Sequence, residues 1–163
     1  MAELNEVLDE NFNVIGTKSR DEIKKENLLH KASLVIVKNS KGEYFVAQRK
    51  ATKSIYPLKW NIGAGGAVRA GESFEEAASR EVKEEIGINA VVKELFEFTW
   101  YSDVVSYFAK IFLAEYNGEI NVDLEECEQG KWVNEEEMNK MIEKKELTLD
   151  TIEYFLKYKE LFK

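Results

Sequence analysis

The chain has 163 residues, of which 44% are hydrophobic and 33% are charged, and its formal net charge is −8. This length suits one domain with a proper hydrophobic core, and the composition excludes a disordered chain. The acidic balance argues against general binding to a nucleic-acid polymer, which depends on cationic contacts with phosphate. A small phosphorylated ligand remains compatible, because clustered acids can hold a metal ion that phosphates also bind.

The expected location is the cytoplasm. Cys127 is the only cysteine, so an internal disulfide is impossible. The N-terminus lacks the layout of a secretory signal, and no apolar run approaches the ~20 residues that span a bilayer. We therefore expect a protein that has no membrane partner.

The first third of the chain is typical of strands separated by turns. Apolar stretches at Leu4–Leu8 and at Val14 and Ile15 flank a polar turn, which predicts an N-terminal hairpin. Residues 21–29 are charged and are compatible with either a short helix or a loop. Strands are predicted at 32–37 and 43–49, and the continuous apolarity of the first indicates burial on both faces.

Residues 52–66 contain the only proline and end in a glycine-rich run, Gly63-Ala64-Gly65-Gly66. Glycine permits close backbone approach, so we expect a loop that meets a ligand. A helix should follow, because Ser73 and Glu76 match a capping box and Gly87 stands where a C-terminal cap belongs.

The remainder alternates between strands and helices. Strands are predicted at 91–100 and 104–116, and a short one at 131–133 follows an acidic loop at 119–128. Asn134 and Glu137 resemble a cap that opens a helix to about Lys145. In the last segment, 151–162, one apolar face should pack on the sheet, and it comprises Ile152, Phe155, Leu156 and Phe162. The pattern predicts an α/β sandwich with a mixed sheet.

Three carboxylates project from one side of the helix that follows the glycine run. Glu81 and Glu85 are one turn apart, Glu84 lies beside them and Arg80 lies at the margin. Like charges at this spacing destabilise a helix slightly. A solvated charged face is one interpretation. The adjacent glycine loop favours another, a site for Mg²⁺ or Mn²⁺, which bind carboxylate and carbonyl oxygens together.

The stretch Gly66–Ile88 resembles the Nudix box, G-x5-E-x7-R-E-U-x-E-E-x-G-U, in which U is aliphatic. It matches at every defined position, namely Gly66, Glu72, Arg80, Glu81, Val82, Glu84, Glu85, Gly87 and Ile88. The resemblance implies the Nudix fold, an α/β/α sandwich with a central mixed sheet. It implies one domain over residues 1–163, with the hairpin within 1–20 and a packed C-terminal helix within 147–163.

The same resemblance implies metal-dependent hydrolysis of a nucleoside diphosphate linked to another group. By similarity, Glu81, Glu84 and Glu85 would hold Mg²⁺ or Mn²⁺, and the carbonyl of Gly65 would add a ligand. Arg80 would form a salt bridge with Glu72 that fixes the loop against the helix. The metal would polarise phosphoryl oxygens and activate the attacking water.

The general base stays open between the box glutamates and an acid of the later loop. In that loop Glu125 and Glu126 are the candidates, although exposed acids are more often only solvated. The partner is a small phosphoanhydride, and a homodimer is compatible with the resemblance.

The flanking sequence resembles the subgroup that contains isopentenyl-diphosphate isomerases and related hydrolases. The isomerases need a cysteine and a histidine near the glycine loop, where this chain has Gly65 and Ala67. Cys127 lies far away in sequence. Isomerisation is therefore disfavoured, and a nucleotide-sensing module without catalysis is a second alternative to hydrolysis.

Candidates for substrate contacts lie outside the box. Arg49 is a candidate for phosphate. His30, the only histidine, matches a metal ligand of the isomerases but is more often structural at a strand start. Aromatic side chains that would stack on a base are Trp60, Trp100, Tyr101 and Tyr107, although aromatics in strands usually belong to the core.

Overall fold

The structure is a computed structural model that describes residues 3–162. Residues 1, 2 and 163, at the two ends of the expected domain, lie outside the described residues. The strands and helices in chain order are β1 (Leu4–Leu8), β2 (Val14–Ser19), α1 (Arg20–Glu26), β3 (His30–Lys38), β4 (Tyr44–Arg49), β5 (Trp60–Ile62), β6 (Ala64–Ala67), α2 (Phe74–Ile86), β7 (Val92–Tyr101), β8 (Ser106–Glu115), β9 (Cys127–Val133), α3 (Glu135–Glu143) and α4 (Leu149–Leu161).

Strand β3 is the centre of a mixed sheet. It pairs antiparallel with β1, β4 and β6, and it runs parallel to β8 from the pair His30–Tyr107 to the pair Lys38–Glu115. Strand β7 extends the sheet beyond β8, while β5 and β9 both pair with β4. The predicted N-terminal hairpin is β1 and β2, which join the sheet through β1.

Helices cover both faces of this sheet. Alternate residues of β3 separate into two clusters, because successive side chains of a strand point to opposite faces. Ile36 packs in the cluster that contains Phe155 of α4, whereas Val35 and Val37 pack in the cluster that contains Val82 of α2. The predicted α/β/α sandwich is thus confirmed, with α2 in one layer and α3 and α4 in the other.

The predicted ends of α2 are also confirmed. Ser73 and Glu76 form a reciprocal capping box, and Gly87 ends the helix in the left-handed conformation at φ 68°. Asn134 and Glu137 cap α3 in the same way. The charged segment near residue 20, which had been compatible with helix or loop, forms α1.

The prediction of a continuous loop over residues 52–66 is wrong, since β5 and β6 occupy its second half. The glycines of β6 leave room for the groups that pack closely against this strand. A Cβ on Gly65 would lie 2.6 Å from Leu34 Cδ2, and one on Gly66 would lie 2.6 Å from Glu81 Oε1. Glycine at these two positions therefore allows close packing within the sheet and against α2, in addition to the predicted close approach of a ligand.

The buried face of α4 matches the predicted one only in part, since Phe155 is buried and Ile152 packs against the same core cluster. Leu156 and Phe162 are 48% and 44% exposed, whereas the face that packs on the sheet comprises Thr151, Tyr154, Phe155 and Tyr158. The apolar periodicity omitted the tyrosine rings, although Tyr154 and Tyr158 are part of the buried face. Among the described helices, none has the length and apolarity needed to cross a membrane.

Candidate active site

A cleft of about 780 Å³ reaches both helix layers where β5 and β6 meet the ends of α2 and α4. All four predicted metal ligands, Gly65, Glu81, Glu84 and Glu85, line it. The cleft is therefore the place where the structure brings together most of the residues that the sequence singled out.

Arg80 ties the glycine loop to α2. Its Nε and Nη2 donate to the two oxygens of Glu72 at 2.8 and 2.9 Å, and its Nη1 donates to Glu81 Oε1 at 2.8 Å. The structure thus contains the expected Glu72–Arg80 salt bridge, and its two-pronged geometry is the strong form of such a pair. Hydrogen bonding from Arg80 lowers the pKa of Glu72, and the bond to Glu72 raises the pKa of Arg80.

Glu81 and Glu85 form an acidic pair beneath the glycine strand. Glu81 is buried, while Glu85 keeps part of its surface open to the cleft and accepts a hydrogen bond from the Gly65 amide at 3.3 Å. Burial raises the pKa of Glu81, and burial together with the charge of Glu81 raises that of Glu85 well above its usual range. Two such carboxylates are stabilised by a shared proton or by a cation.

Glu84 has a different environment at the rim of the cleft. Its side chain is 50% exposed, and its oxygens lie 3.4 Å from Arg80 Nη1 and 3.7 Å from Arg69 Nη2. Within residues 3–162, no three His, Cys, Asp or Glu side chains are grouped closely enough to hold a metal ion. The donor types at the Glu81–Glu85 pair do suit Mg²⁺ or Mn²⁺. A site that includes Glu84 requires this side chain to leave its arginine partners.

Cations line another part of the same cleft, and they come from distant segments of the chain. Arg49 donates from Nε to the Ile55 carbonyl at 2.8 Å and from Nη1 to Asn61 Oδ1 at 3.4 Å. Burial lowers the pKa of its guanidinium, while the charges of Asp150 and Glu85 act in the opposite direction. Besides Arg69 and Arg80, the further cleft cations are Arg20, Lys24 and Lys53.

The sequence reasoning missed these further cations. Arg20 and Lys24 are four residues apart on α1, so they lie on one helical face, and this spacing was a usable signal. Lys53 carries no comparable signal. It reaches the cleft because the segment between β4 and β5 folds back over it.

His30 also lines the cleft, in a structural environment. Its Nδ1 donates to the Leu28 carbonyl at 2.9 Å, which leaves Nε2 to accept from Arg20 Nη1 at 3.4 Å. Burial lowers the pKa of His30 from 6.5 to about 4, so the ring is neutral near pH 7.

The aromatic candidates separate into two groups. Trp60 is buried in the core with Lys131 Nζ 5.0 Å from its ring centre, and it does not line the cleft. Trp100 packs on Phe98 at 6.3 Å and, like the exposed Tyr101, is absent from the lining. Only Tyr107 of this set faces the cleft.

The two candidates for a late general base are also separated. Glu126 lines the cleft, where Lys53 Nζ contacts its Oε2 at 3.2 Å. Glu125 is absent from the lining, and its amide donates to Asp123 Oδ1 at 2.9 Å. Asp123 itself lines the cleft and was not singled out in the sequence.

Cys127 reaches the cleft despite its distance from the glycine run in sequence. Gly65 and Ala67, at the positions that the isomerases fill with cysteine and histidine, lie in β6. Cys127 is buried, and burial raises the pKa of its thiol to about 11, so it is not the thiolate that a nucleophile requires.

Comparisons with known proteins show the family and the fold. Residues 28–154 match the family model of the NUDIX domain. A fold comparison finds a crystal structure from Deinococcus radiodurans with a TM-score of 0.82 and 22% identity, which covers 99% of this chain and 100% of the other. This likeness shows the shared fold.

Three curated relatives have similar extents of match. An uncharacterised Nudix hydrolase of Pseudomonas aeruginosa is 31% identical over 83% of this chain and 80% of its own length. A prenyl-diphosphate phosphatase of Methanosarcina mazei is 30% identical over 83% of this chain and 80% of its own length. The isopentenyl-diphosphate Delta-isomerase 2 of Photorhabdus laumondii is 29% identical over 82% of this chain and 78% of its own length. With an intact box on a glycine strand and an acidic helix, the chain belongs to the Nudix hydrolase family.

Proposed function

We propose that the chain hydrolyses the diphosphate linkage of a small substrate of the type nucleoside diphosphate-X, with Mg²⁺ or Mn²⁺ as cofactor. The observation that carries this proposal is the composition of one cleft. It contains the Glu81–Glu85 pair, suited to a hard cation, together with the partly buried guanidinium of Arg49, suited to phosphate. The cytoplasmic location and the homodimer stay predictions.

In this proposal each side chain has a separate task. Glu81, Glu84 and Glu85, with the carbonyl of Gly65, would hold the metal ion, which would polarise phosphoryl oxygens and acidify a bound water. Arg49 would bind phosphate oxygens. Arg80 would position Glu81 through the 2.8 Å contact.

Hydrolysis forms one bond and breaks one. The water oxygen bonds to phosphorus, the bridging P–O bond breaks, and the departing phosphate group takes the electron pair. A carboxylate accepts the proton that the water releases. Glu126 is the favoured late-loop base because it lines the cleft, whereas Glu125 does not.

A screen of phosphoanhydrides with Mg²⁺, Mn²⁺ or a chelator tests the proposal, with both products identified by mass spectrometry. We expect turnover only with metal, and a loss of at least about 100-fold in Glu85→Gln and Glu84→Gln. Glu136→Gln is the matched control, since Glu136 is 79% exposed in a surface ion pair. Tight nucleotide binding without turnover would favour the sensing module instead.

A prenyl diphosphate is a second candidate substrate. It is favoured by the similarity to a relative that bears the name prenyl-diphosphate phosphatase. Both candidates present a diphosphate to the same metal and cations, so they differ only in what the remainder of the cleft must bind.

A further inference from the structure

We propose that the cleft wall formed by β8 and the first turn of α4 is a subsite for a hydroxyl-bearing group, with Asp150 as the specificity-determining residue. This inference rests on the proposed diphosphate hydrolysis. It selects a sugar-like substituent over a prenyl chain.

One carboxylate oxygen of Asp150 on this wall has no hydrogen-bond donor. Its Oδ2 accepts from the Tyr107 hydroxyl at 2.6 Å, whereas its Oδ1 is buried and has no partner within residues 3–162. A carboxylate offers about four acceptor positions, and a buried oxygen without a donor is unfavourable. The side chain lines the cleft, and its terminal torsion is soft, so the carboxylate can reorient toward a ligand that donates a hydrogen bond.

The neighbours of Asp150 are polar as well. The hydroxyl and amide side chains that line the cleft are Thr52, Ser54, Tyr56, Asn61, Tyr107, Thr148 and Tyr154. Asn61 Nδ2 donates to Thr148 Oγ1 at 3.1 Å, so part of this group is already ordered. A prenyl chain needs an apolar lining, and burial of a carboxylate and hydroxyls against it without hydrogen bonds is unfavourable. A hydroxylated group supplies the missing donors.

Charge orients the substrate along the cleft. Arg49 is close enough to both Glu85 and Asp150 for each carboxylate to favour its charged form. The diphosphate is attracted to Arg49 and to a metal at the glutamates, but Asp150 repels it. The neutral, hydroxyl-bearing part of the substrate is therefore the part that fits beside Asp150.

A purely structural role is the competing explanation, because Asp150 also lies in the first turn of α4, where a negative charge stabilises the helix. The two roles predict different dependence on the substrate. A structural defect affects every substrate equally, whereas a specificity residue affects only the substrates that donate to it.

The test uses Asp150→Asn, which keeps the shape but removes the charge and one acceptor. We expect kcat/KM for a nucleoside diphosphate sugar such as ADP-ribose to fall about 10- to 100-fold, mainly through KM. For isopentenyl diphosphate we expect a change below about threefold. Asp103→Asn, an exposed aspartate, is the matched control, and thermal unfolding checks that both variants fold.

Two substrate arms identify the hydroxyl. One substrate analogue lacks a hydroxyl on the nucleoside ribose, and the other lacks a hydroxyl on the second sugar. If Asp150→Asn has no effect on kcat/KM for one of these analogues, the hydroxyl missing from that analogue is the one that Asp150 binds. Tyr107→Phe removes the donor that occupies Oδ2, so we expect it to retain the preference for hydroxylated substrates. If Asp150→Asn reduces all substrates equally, or the wild type prefers isopentenyl diphosphate, the subsite is overturned while the hydrolase proposal stands.

Calorimetry separates the two proposals if no substrate is turned over. That result contradicts the proposed function, but binding of ADP-ribose with Mg²⁺ still reports on the subsite. A Kd weakened about 10-fold or more in Asp150→Asn supports the subsite, and an unchanged Kd overturns it.

Discussion

The two sides of the cleft are built in different ways. The acidic side comes from one continuous stretch, in which helix spacing alone places Glu81 and Glu85 together. The opposite side is assembled from α1, the end of β4 and the start of α4, which supply Arg20, Arg49 and Asp150. Local geometry therefore suffices to bring the proposed metal ligands together, whereas the proposed substrate-selecting surface depends on the whole fold.

Substitution of Arg80 should give the largest effect among the tests of this difference. Arg80→Met leaves the buried Glu81 and the partly buried Glu72 without their cation, so we expect unfolding free energy to fall by about 2–3 kcal/mol, with activity falling at least about 100-fold. Urea unfolding and initial rates measure both. Arg69→Met is the matched control, because Arg69 is half exposed and its ion pairs should contribute less than about 1 kcal/mol. Equal losses in the two variants would contradict the distinction.

Arg49 tests the assembled side. Arg49→Met should raise KM about 10- to 100-fold for any diphosphate substrate, because it removes a charged partner of phosphate, with a smaller change in kcat. Steady-state kinetics at saturating metal separate the two constants. Arg49→Lys should recover only part of the loss, since lysine lacks the planar fork. A variant that loses kcat alone would place Arg49 with the acidic side instead.

His30 predicts a pH dependence of stability. Its folded pKa is about 4, below the 6.5 expected in the unfolded chain, so its neutral form contributes stability above pH 6.5 that is lost as pH falls toward 4. The contribution of His30 to the free energy of unfolding that is lost in this way is at most about 3 kcal/mol. The raised pKa values of Glu81 and Glu85 act in the opposite direction, because their contribution is lost as pH rises. Urea unfolding from pH 7 to 4.5 should therefore show a flatter decline in His30→Gln than in the wild type.

Cys127 should have the smallest effect. Its protonated thiol has no role in the proposed hydrolysis, so Cys127→Ala should keep kcat/KM within about threefold and cost about 1 kcal/mol of stability. We also expect no isomerisation of isopentenyl diphosphate by the wild type. A loss of isomerase activity in the variant would show that Cys127 replaces the cysteine absent at Gly65.

The sequence predicted the features that depend on near neighbours in the chain. Capping residues specify the ends of α2 and α3, because each cap completes hydrogen bonds within one turn. The pair of Glu72 and Arg80 follows from the box. By contrast, β5 and β6 were not predicted. Their hydrogen bonds are made with β4 and β3, and the residues of the segment itself do not indicate that these distant strands are available for pairing.

The sequence by itself thus determined the family, the sandwich and the acidic face of α2, since these depend on period, capping and a contiguous motif. Only the tertiary structure decided that Arg49 and Asp150 face the same cleft as Glu85 and that Trp60 does not. The physical reason is that the contacts of a side chain across a sheet depend on strand register and helix layer. These are properties of long-range pairing, and no short stretch of residues contains them.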